Sequence, residues 1–280
     1  MKQLVVTADD FGAARAVNDA VLEAHADGIL TAASLMVGGA SAADAVARAR
    51  AAPSLRVGLH LVLVDGRPVL PPAQVPDLVD AGGNFRNDMA RAGAAMFFRP
   101  SVRRQLEAEI AAQFQAFRAT GLPLDHVNAH KHFHLHPTIA AAMLAIGRDY
   151  GLKAVRVPLE PAAALARVEP YRGSVVAAVT RPFARALRRR FARAGIASPD
   201  AVFGLAWSGA MTAPRLKGIV QNLPDGLSEI YLHPATGSYA GAAPGYRYNE
   251  ERAALLDSGV IAAAKSHNIL LGGFEDFCHG

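Results

Sequence analysis

Ten histidines are spread over 280 residues, yet five of them, His126, His130, His132, His134 and His136, crowd into LDHVNAHKHFHLHP at 124–137. Imidazole is the commonest metal ligand and the side chain best suited to proton transfer near neutral pH. Three other stretches end short apolar runs in similar groups: LVVTADDFG with Asp9 and Asp10, LRVGLHL with His60, and SEIYLHP with His233. One carboxylate and two imidazoles from three separate strands make an open metal site, with positions left for water and substrate. A second acid beside the first, free of the metal, is the general base that such a water needs. Each group also has a plainer reading. An acidic pair before Ala13 can cap a helix, His60 can be a hydrogen-bonded core histidine, and His132, His134 and His136 can be solvated or support neighbouring groups. Their joint placement favours chemistry.

That placement depends on the elements. Apolar runs near 3–8, 31–37, 55–61, 125–130, 153–157, 200–206, 228–233 and 268–272 read as strands. Helical patterns lie between them at 13–27, 41–51, 102–120, 138–150, within 161–193, at 213–222 and at 249–266. The alternation predicts an α/β protein, an irregular (β/α) TIM-like barrel of seven to eight strands, with 1–280 as one domain. Such a barrel gathers its chemistry at the C-terminal ends of its strands, where all four stretches place theirs. Period-two alternation puts His126, Asn128 and His130 on one strand face, and Pro137 suits the first position of the next helix. Arg156 closes the run VRVP, where it could lower the pKa of Asp9 or bind substrate. The Gly- and Pro-rich loop 62–100 is too long for a mere connector and is expected to line the site.

Composition narrows the classes. With 51% hydrophobic and 19% charged residues the chain is a folded globule rather than a disordered one. The start shows no signal-peptide core and no run reaches the length of a membrane span, and Cys278 has no disulfide partner. The expectation is a cytoplasmic protein. The net charge of +5 comes largely from six arginines between Arg181 and Arg193. Phe183, Leu187 and Phe191 recur there at helical spacing, so the segment reads as a barrel-wall helix or as a peripheral helix on the inner face of a membrane. Aromatic interleaving and recognition motifs for nucleic acid are absent from the sequence, and no nucleic-acid partner is expected.

The motifs TADDFG, TAASLMV, VGLHL, DHVNAHKHFH, AVRVP and EIYLHP occur in an order that resembles the YdjC-like carbohydrate deacetylases, and the likeness spans nearly the whole chain. The resemblance implies a TIM-like fold, a divalent metal and hydrolysis of an N-acetyl group from a sugar. By position, Asp10, His60 and His130 resemble the metal ligands, Asp9 the catalytic base and His233 the general acid. Asn128 stands where the family commonly has Asp, and Ala235 where a glycine is usual. Arg156, His132 and Asn128 are the candidate substrate contacts. The stretches VGLHLVLVDGRPVLPP and VNAHKHFHLHPTI further resemble the branch associated with hopanoid biosynthesis, which implies a lipid-linked N-acetylglucosaminyl substrate.

The donor set suits zinc, favoured over Mg²⁺, although a carboxylate and waters also admit Mn²⁺, Ni²⁺ or Co²⁺. Soluble chitooligosaccharides are the alternative substrate, and a homodimer stays open. A sugar isomerase would need more carboxylates or a strand-end lysine, a role that neither Lys131 nor Lys153 fits clearly. A non-catalytic metal- or sugar-binding protein would not need Asp9 and His233 set apart from three ligands.

Overall fold

The computed structural model describes residues 1–278 apart from 172 and 174. Its centre is a curled parallel sheet in the order β4-β3-β2-β1-β6-β5, formed by Val127–Ala129, Arg56–Leu61, Ala32–Leu35, Lys2–Phe11 (β1), Gly226–Leu232 (β6) and Ala201–Phe203 (β5). A two-residue strand, Leu270–Leu271 (β7), pairs with the start of β1. Apart from β7, whose two leucines are exposed, the strands are buried along most of their length on both faces and read as nearly continuous apolar runs, as parallel strands do.

The eighth expected strand, at 153–157, does not form. Only isolated bridges remain, Val127↔Val155 and Ala154↔Ala197. They still link the two sheet edges, because Arg156 N–H donates to the Val127 carbonyl and Val155 N–H to Ala197. Val157-Pro158 explains the failure: proline supplies no ladder donor and the segment leaves the sheet at once. The result is the expected TIM-like architecture, with an irregular stave between β4 and β5.

The crossover helices follow the sequence pattern closely. They include Arg15–Asp27 (α1), Ala42–Ala51 (α2), Pro100–Ala119 (α4), Pro137–Gly147 (α5), Val175–Arg193 (α7) and Ala213–Gln221 (α8). Two differences stand out. The loop 62–100 contains a helix of its own, Met89–Phe98 (α3), capped by the Asp88 carboxylate accepting from Arg91 N–H. The expected single helix 249–266 is two, Tyr248–Leu256 (α9) and Ser258–Ser266 (α10), broken where Asp257 turns extended and caps the second through Val260 N–H. A short α6, Ala162–Leu165, and α11, Phe274–Phe277, complete the order.

Inside the sheet, alternation sorts the inward residues into layers. The lowest is apolar: Val5, Ala32, Ala154 and Leu227 pack with Phe274 of α11, which plugs that end. Above it the layer turns polar, with Thr7, Ser34, His126, Glu229 and Arg156 all buried. Gly58 makes room for it, since a Cβ there would lie 2.5 Å from the His126 ring and carbonyl. His126 stacks on Phe274 and joins the Asp125 carboxylate to Ser34 Oγ, at 2.8 and 2.9 Å.

Overpacking at such a point has nowhere to relax. Gly58→Ala is expected to lower stability by about 2 kcal/mol or more, in the upper part of the range for small-to-large core changes. Urea denaturation with an unchanged m-value would show it.

Candidate metal and catalytic site

Successive residues of a strand normally point to opposite faces, so Asp9 and Asp10 should not share a site. A bulge resolves this. The β1–β2 register advances three residues from Ala8 to Phe11 against two from Ala33 to Leu35. Asp10 takes up the extra residue with φ 62°, a left-handed conformation in which Asp is tolerated. Both carboxylates consequently line one cavity of about 920 Å³ at the C-terminal ends of the strands.

Asp10 meets His60 and His130 there. The Asp10 Oδ1 atom is 3.4 Å from His60 Nε2 and 3.3 Å from His130 Nδ1, and the two nitrogens are 3.4 Å apart. Asp10 Oδ1 is buried and makes no hydrogen bond. The ligand atoms of these three residues all lie within 4.8 Å of one another. A tetrahedral centre with bonds of roughly 2.0–2.1 Å has edges of about 3.3–3.4 Å, so the triangle fits a cation in the remaining space. Burial works against the Asp10 carboxylate, yet the two imidazoles beside it hold its pKa well below the usual range.

Asn128 sets the orientation of His60. Its Oδ1 accepts from His60 Nδ1–H at 2.6 Å, which leaves the Nε2 lone pair facing Asp10 and His130. The Asn128 amide N–H groups donate to Asp9 Oδ1 at 3.1 Å and to Ser34 Oγ at 2.9 Å. Because a carboxylate only accepts, this contact also fixes which way the amide points.

Asp9 lies apart from the triangle and is held by Arg156 through two hydrogen bonds, of 2.6 and 3.0 Å. Burial would raise the Asp9 pKa, but the Arg156 guanidinium beside it brings it far below the ordinary carboxylate range. Arg156 also donates to Glu229, at 2.7 and 2.9 Å, and its guanidinium lies over the Tyr231 ring at 4.4 Å. Arg156 and Asn128, expected at the substrate, are completely buried behind the wall of the cavity. Their inward position on strand-like backbone sets them against Asp9 and His60, which they hydrogen-bond.

His132 does line the cavity. Lys131 and His132 both have φ 53°, and this pair of left-handed residues turns the chain sharply after β4. The His132 Nε2 atom shares a hydrogen bond of 2.9 Å with the Tyr231 hydroxyl. Burial, reinforced by Arg156, keeps the ring well below its ordinary pKa. His134 is buried against the Arg156 carbonyl, with its pKa pushed down by burial to about 4. His136 packs on Phe97 and Phe133 instead of reaching the site.

His233 follows β6, the strand that pairs with β1 up to Ala8↔Leu232, and lines the same cavity beside Asp9. Glu251 of α9, fully buried, accepts from the His233 backbone N–H and the Met211 N–H, at 2.5 and 2.9 Å. Its Oε2 lies 3.9 Å from His233 Nδ1, which has no other partner. Burial raises the Glu251 pKa, partly offset by His233. Glu251 had no signal in the sequence, because nothing in YNEER separates it from its acidic neighbour on the helix. Glu229 and Tyr231 did have one: with His233 they alternate along SEIYLHP, and an acid alternating into a buried strand is out of place unless paired.

The five residues that the motifs singled out all line this one cavity, and the comparisons agree with the fold around them. The profile of the YdjC-like proteins matches residues 3–266. The chain belongs to the YdjC-like family. A carbohydrate deacetylase of Geobacillus stearothermophilus is 29% identical over 278 residues, covering 98% of this chain and 97% of that protein. One of Brevibacillus brevis is 40% identical over 157 residues, a match spanning 56% of this chain and 58% of that protein. Among solved structures, an Enterococcus faecalis protein provisionally described as a cellobiose-phosphate cleavage protein superposes with a TM-score of 0.76 at 25% identity, over 99% of both chains. This family member has the expected α/β architecture throughout the matched span.

Removing a group that only orients a ligand lowers metal affinity by roughly 10–100-fold. Asn128→Ala should fall in that range and His130→Ala beyond it, as measured by competition titration of metal-free protein with Zn²⁺. Equal affinities in wild type and His130→Ala would remove His130 from the site.

Proposed function

We propose that this protein is a metal-dependent hydrolase that removes the acetyl group from an N-acetylated amino sugar. The observation that carries the reading is the separation of roles in one cavity: a three-donor cluster, a carboxylate held apart from it by Arg156, and a histidine on the neighbouring strand outside the cluster. Family membership and the carbohydrate deacetylase relatives support it.

Amide hydrolysis needs a polarised carbonyl, an activated water and a protonated leaving nitrogen. A divalent cation held by Asp10, His60 and His130 would supply the polarisation and make water more acidic. Asp9, kept ionised by Arg156, accepts the proton as water attacks. Arg156 and Asn128 keep both Asp9 oxygens in place, so the acceptor is aligned before substrate arrives. His233, in the same cavity but outside the three-donor cluster, delivers a proton to the departing nitrogen, with Glu251 holding its backbone and facing Nδ1. Zinc is the cation we favour, since an octahedral site with bonds of similar length has shorter edges, of about 3 Å.

The finer reading is a lipid-linked N-acetylglucosaminyl substrate, an N-acetylglucosaminyl hopanoid. The sequence stretches that resemble the hopanoid-associated branch support it, and so does the rim of the cavity. Arg91 of α3 and Thr180 of α7 line the mouth, and the same two helices expose Phe97, Phe98, Val179 and Phe183. Within α7, Ala184, Leu187 and Phe191 are buried on the barrel, while Phe183 is 59% exposed. The stripe expected on one face is therefore split: its C-terminal part is barrel wall, and Phe183 is left outside with the exposed Arg181, Arg185 and Arg189. Apolar residues flanked by arginines suit an anionic membrane surface. No helix among the described residues is long and apolar enough to cross a membrane.

Two experiments test these readings. Mass spectrometry of N-acetylglucosaminyl lipid or chitooligosaccharide incubated with metal-loaded protein should show loss of acetyl. Asp9→Asn should keep the metal and lose activity by at least about a hundredfold, the lower end of general-base contributions. A fully active Asp9→Asn variant would make Asp9 structural. On anionic vesicles at low salt the wild type should co-sediment, and Arg181/Arg185/Arg189→Glu should not. Equal pelleting of the two would leave α7 as barrel wall alone.

A further inference from the structure

The wall beyond His233 is aromatic. Tyr246 lies 5.1 Å from the His233 ring, Tyr248 5.6 Å from Tyr246, and Tyr239 5.3 Å from Tyr248, measured between centroids. All three line the same cavity as Asp10, His60 and His130. Two of their hydroxyls are committed to building the wall: Tyr246 bonds Ser208 Oγ at 2.8 Å, and Tyr248 accepts from Ala243 N–H at 2.7 Å. What Tyr246 chiefly offers a ligand is ring surface, and Tyr248, 8% exposed, backs it from behind with only its edge at the cavity. Tyr246 is also seated by design of the backbone, since Gly209 has φ +73° and a Cβ there would collide with the tyrosine ring.

We propose that Tyr239, Tyr246 and Tyr248 form the subsite for the pyranose ring that bears the departing nitrogen. The inference rests on the deacetylase reading above. In that reaction the acetyl carbon sits at the three-donor cluster and the nitrogen faces His233, so the carbon attached to that nitrogen must lie past His233. Past His233 stands the tyrosine wall. A pyranose carries a face of C–H groups that can lie on aromatic rings, leaving its hydroxyls for the polar groups elsewhere in the cavity. A flexible acyl amine without a ring would gain little there, which makes the wall a device for selecting a sugar.

The test uses the full-length protein with N-acetylglucosamine and diacetylchitobiose. Saturation-transfer NMR with irradiation of aromatic protons should mark the sugar C–H protons more strongly than the acetyl methyl. Tyr239→Ala and Tyr246→Ala should raise KM about tenfold with kcat within about twofold, and Tyr246→Phe should keep the wild-type KM. Tyr239, remote from His233, carries the test if Tyr246→Ala fails to fold. Saturation confined to the methyl group, Tyr246→Phe and Tyr246→Ala behaving alike, or no binding of either sugar would overturn the subsite. Ring-proton saturation without turnover would support the subsite and overturn the deacetylase reading instead.

Discussion

The structure depends on one buried cation. Arg156 sits at the barrel axis with no solvent exposure and is satisfied by Asp9, Glu229 and the face of Tyr231. A charge in that position is costly unless paired and hydrogen-bonded, and breaking one side of such a pair leaves an uncompensated charge in the core. Each partner is thereby constrained. Asp9 cannot turn away, Glu229 must stay directed inward with Thr7 donating to its Oε1, and Tyr231 must lie flat under the guanidinium. Tyr231 in turn reaches His132, so one ionic interaction orders three walls of the cavity. Two buried carboxylates, Asp9 and Glu229, face this single guanidinium, and a third, Asp10, is buried against His60 and His130. A divalent cation beside Asp10 would offset that acidic surplus.

The second constraint is geometric and belongs to β1. Without the bulge at Asp10, the strand could send only one of two adjacent acids into the mouth. With it, Asp9 stays on the inward row with Val5 and Thr7, while Asp10 is swung toward His60 and His130. The left-handed backbone at Asp10 is a local cost of the kind found at functional sites, held in place by the pairing of β1 on both sides. Two adjacent acids can thus share one cavity in different surroundings, Asp9 against Arg156 and Asp10 against two histidines.

Much of this was legible in the sequence because it rests on short-range rules. Strand-end placement marked Asp9, Asp10, His60, His130 and His233, and period-two alternation carried His126 and Asn128 inward. Less legible were features set by partners distant in sequence. Nothing near Arg156 says whether it faces substrate or lies beneath Asp9, because that depends on Glu229 and Tyr231 more than seventy residues away. The bulge leaves no mark in TADDFG, and Glu251 becomes visible only when α9 docks against β6. The strand expected at 153–157 failed for a different reason. Its apolar pattern was correct, but Pro158 ended its pairing, and the inward position of Arg156 survived on isolated bridges alone.

Asn128 shows why a single amide can connect these parts better than an acid could. It must accept from His60 and donate to a carboxylate at the same time, and only a side chain with both functions does so without moving a proton. An aspartate there would still hold His60, but it would place one carboxylate against Asp9 and leave Ser34 without its incoming N–H. Like charges at that distance in a buried site disfavour joint ionisation. The amide at 128 therefore suits the local electrostatics of this chain. With Asn128 neutral, Asp9 meets an amide N–H on one side and Arg156 on the other, with no second carboxylate against it there. The orientation of His60 is then secured by hydrogen bonding alone.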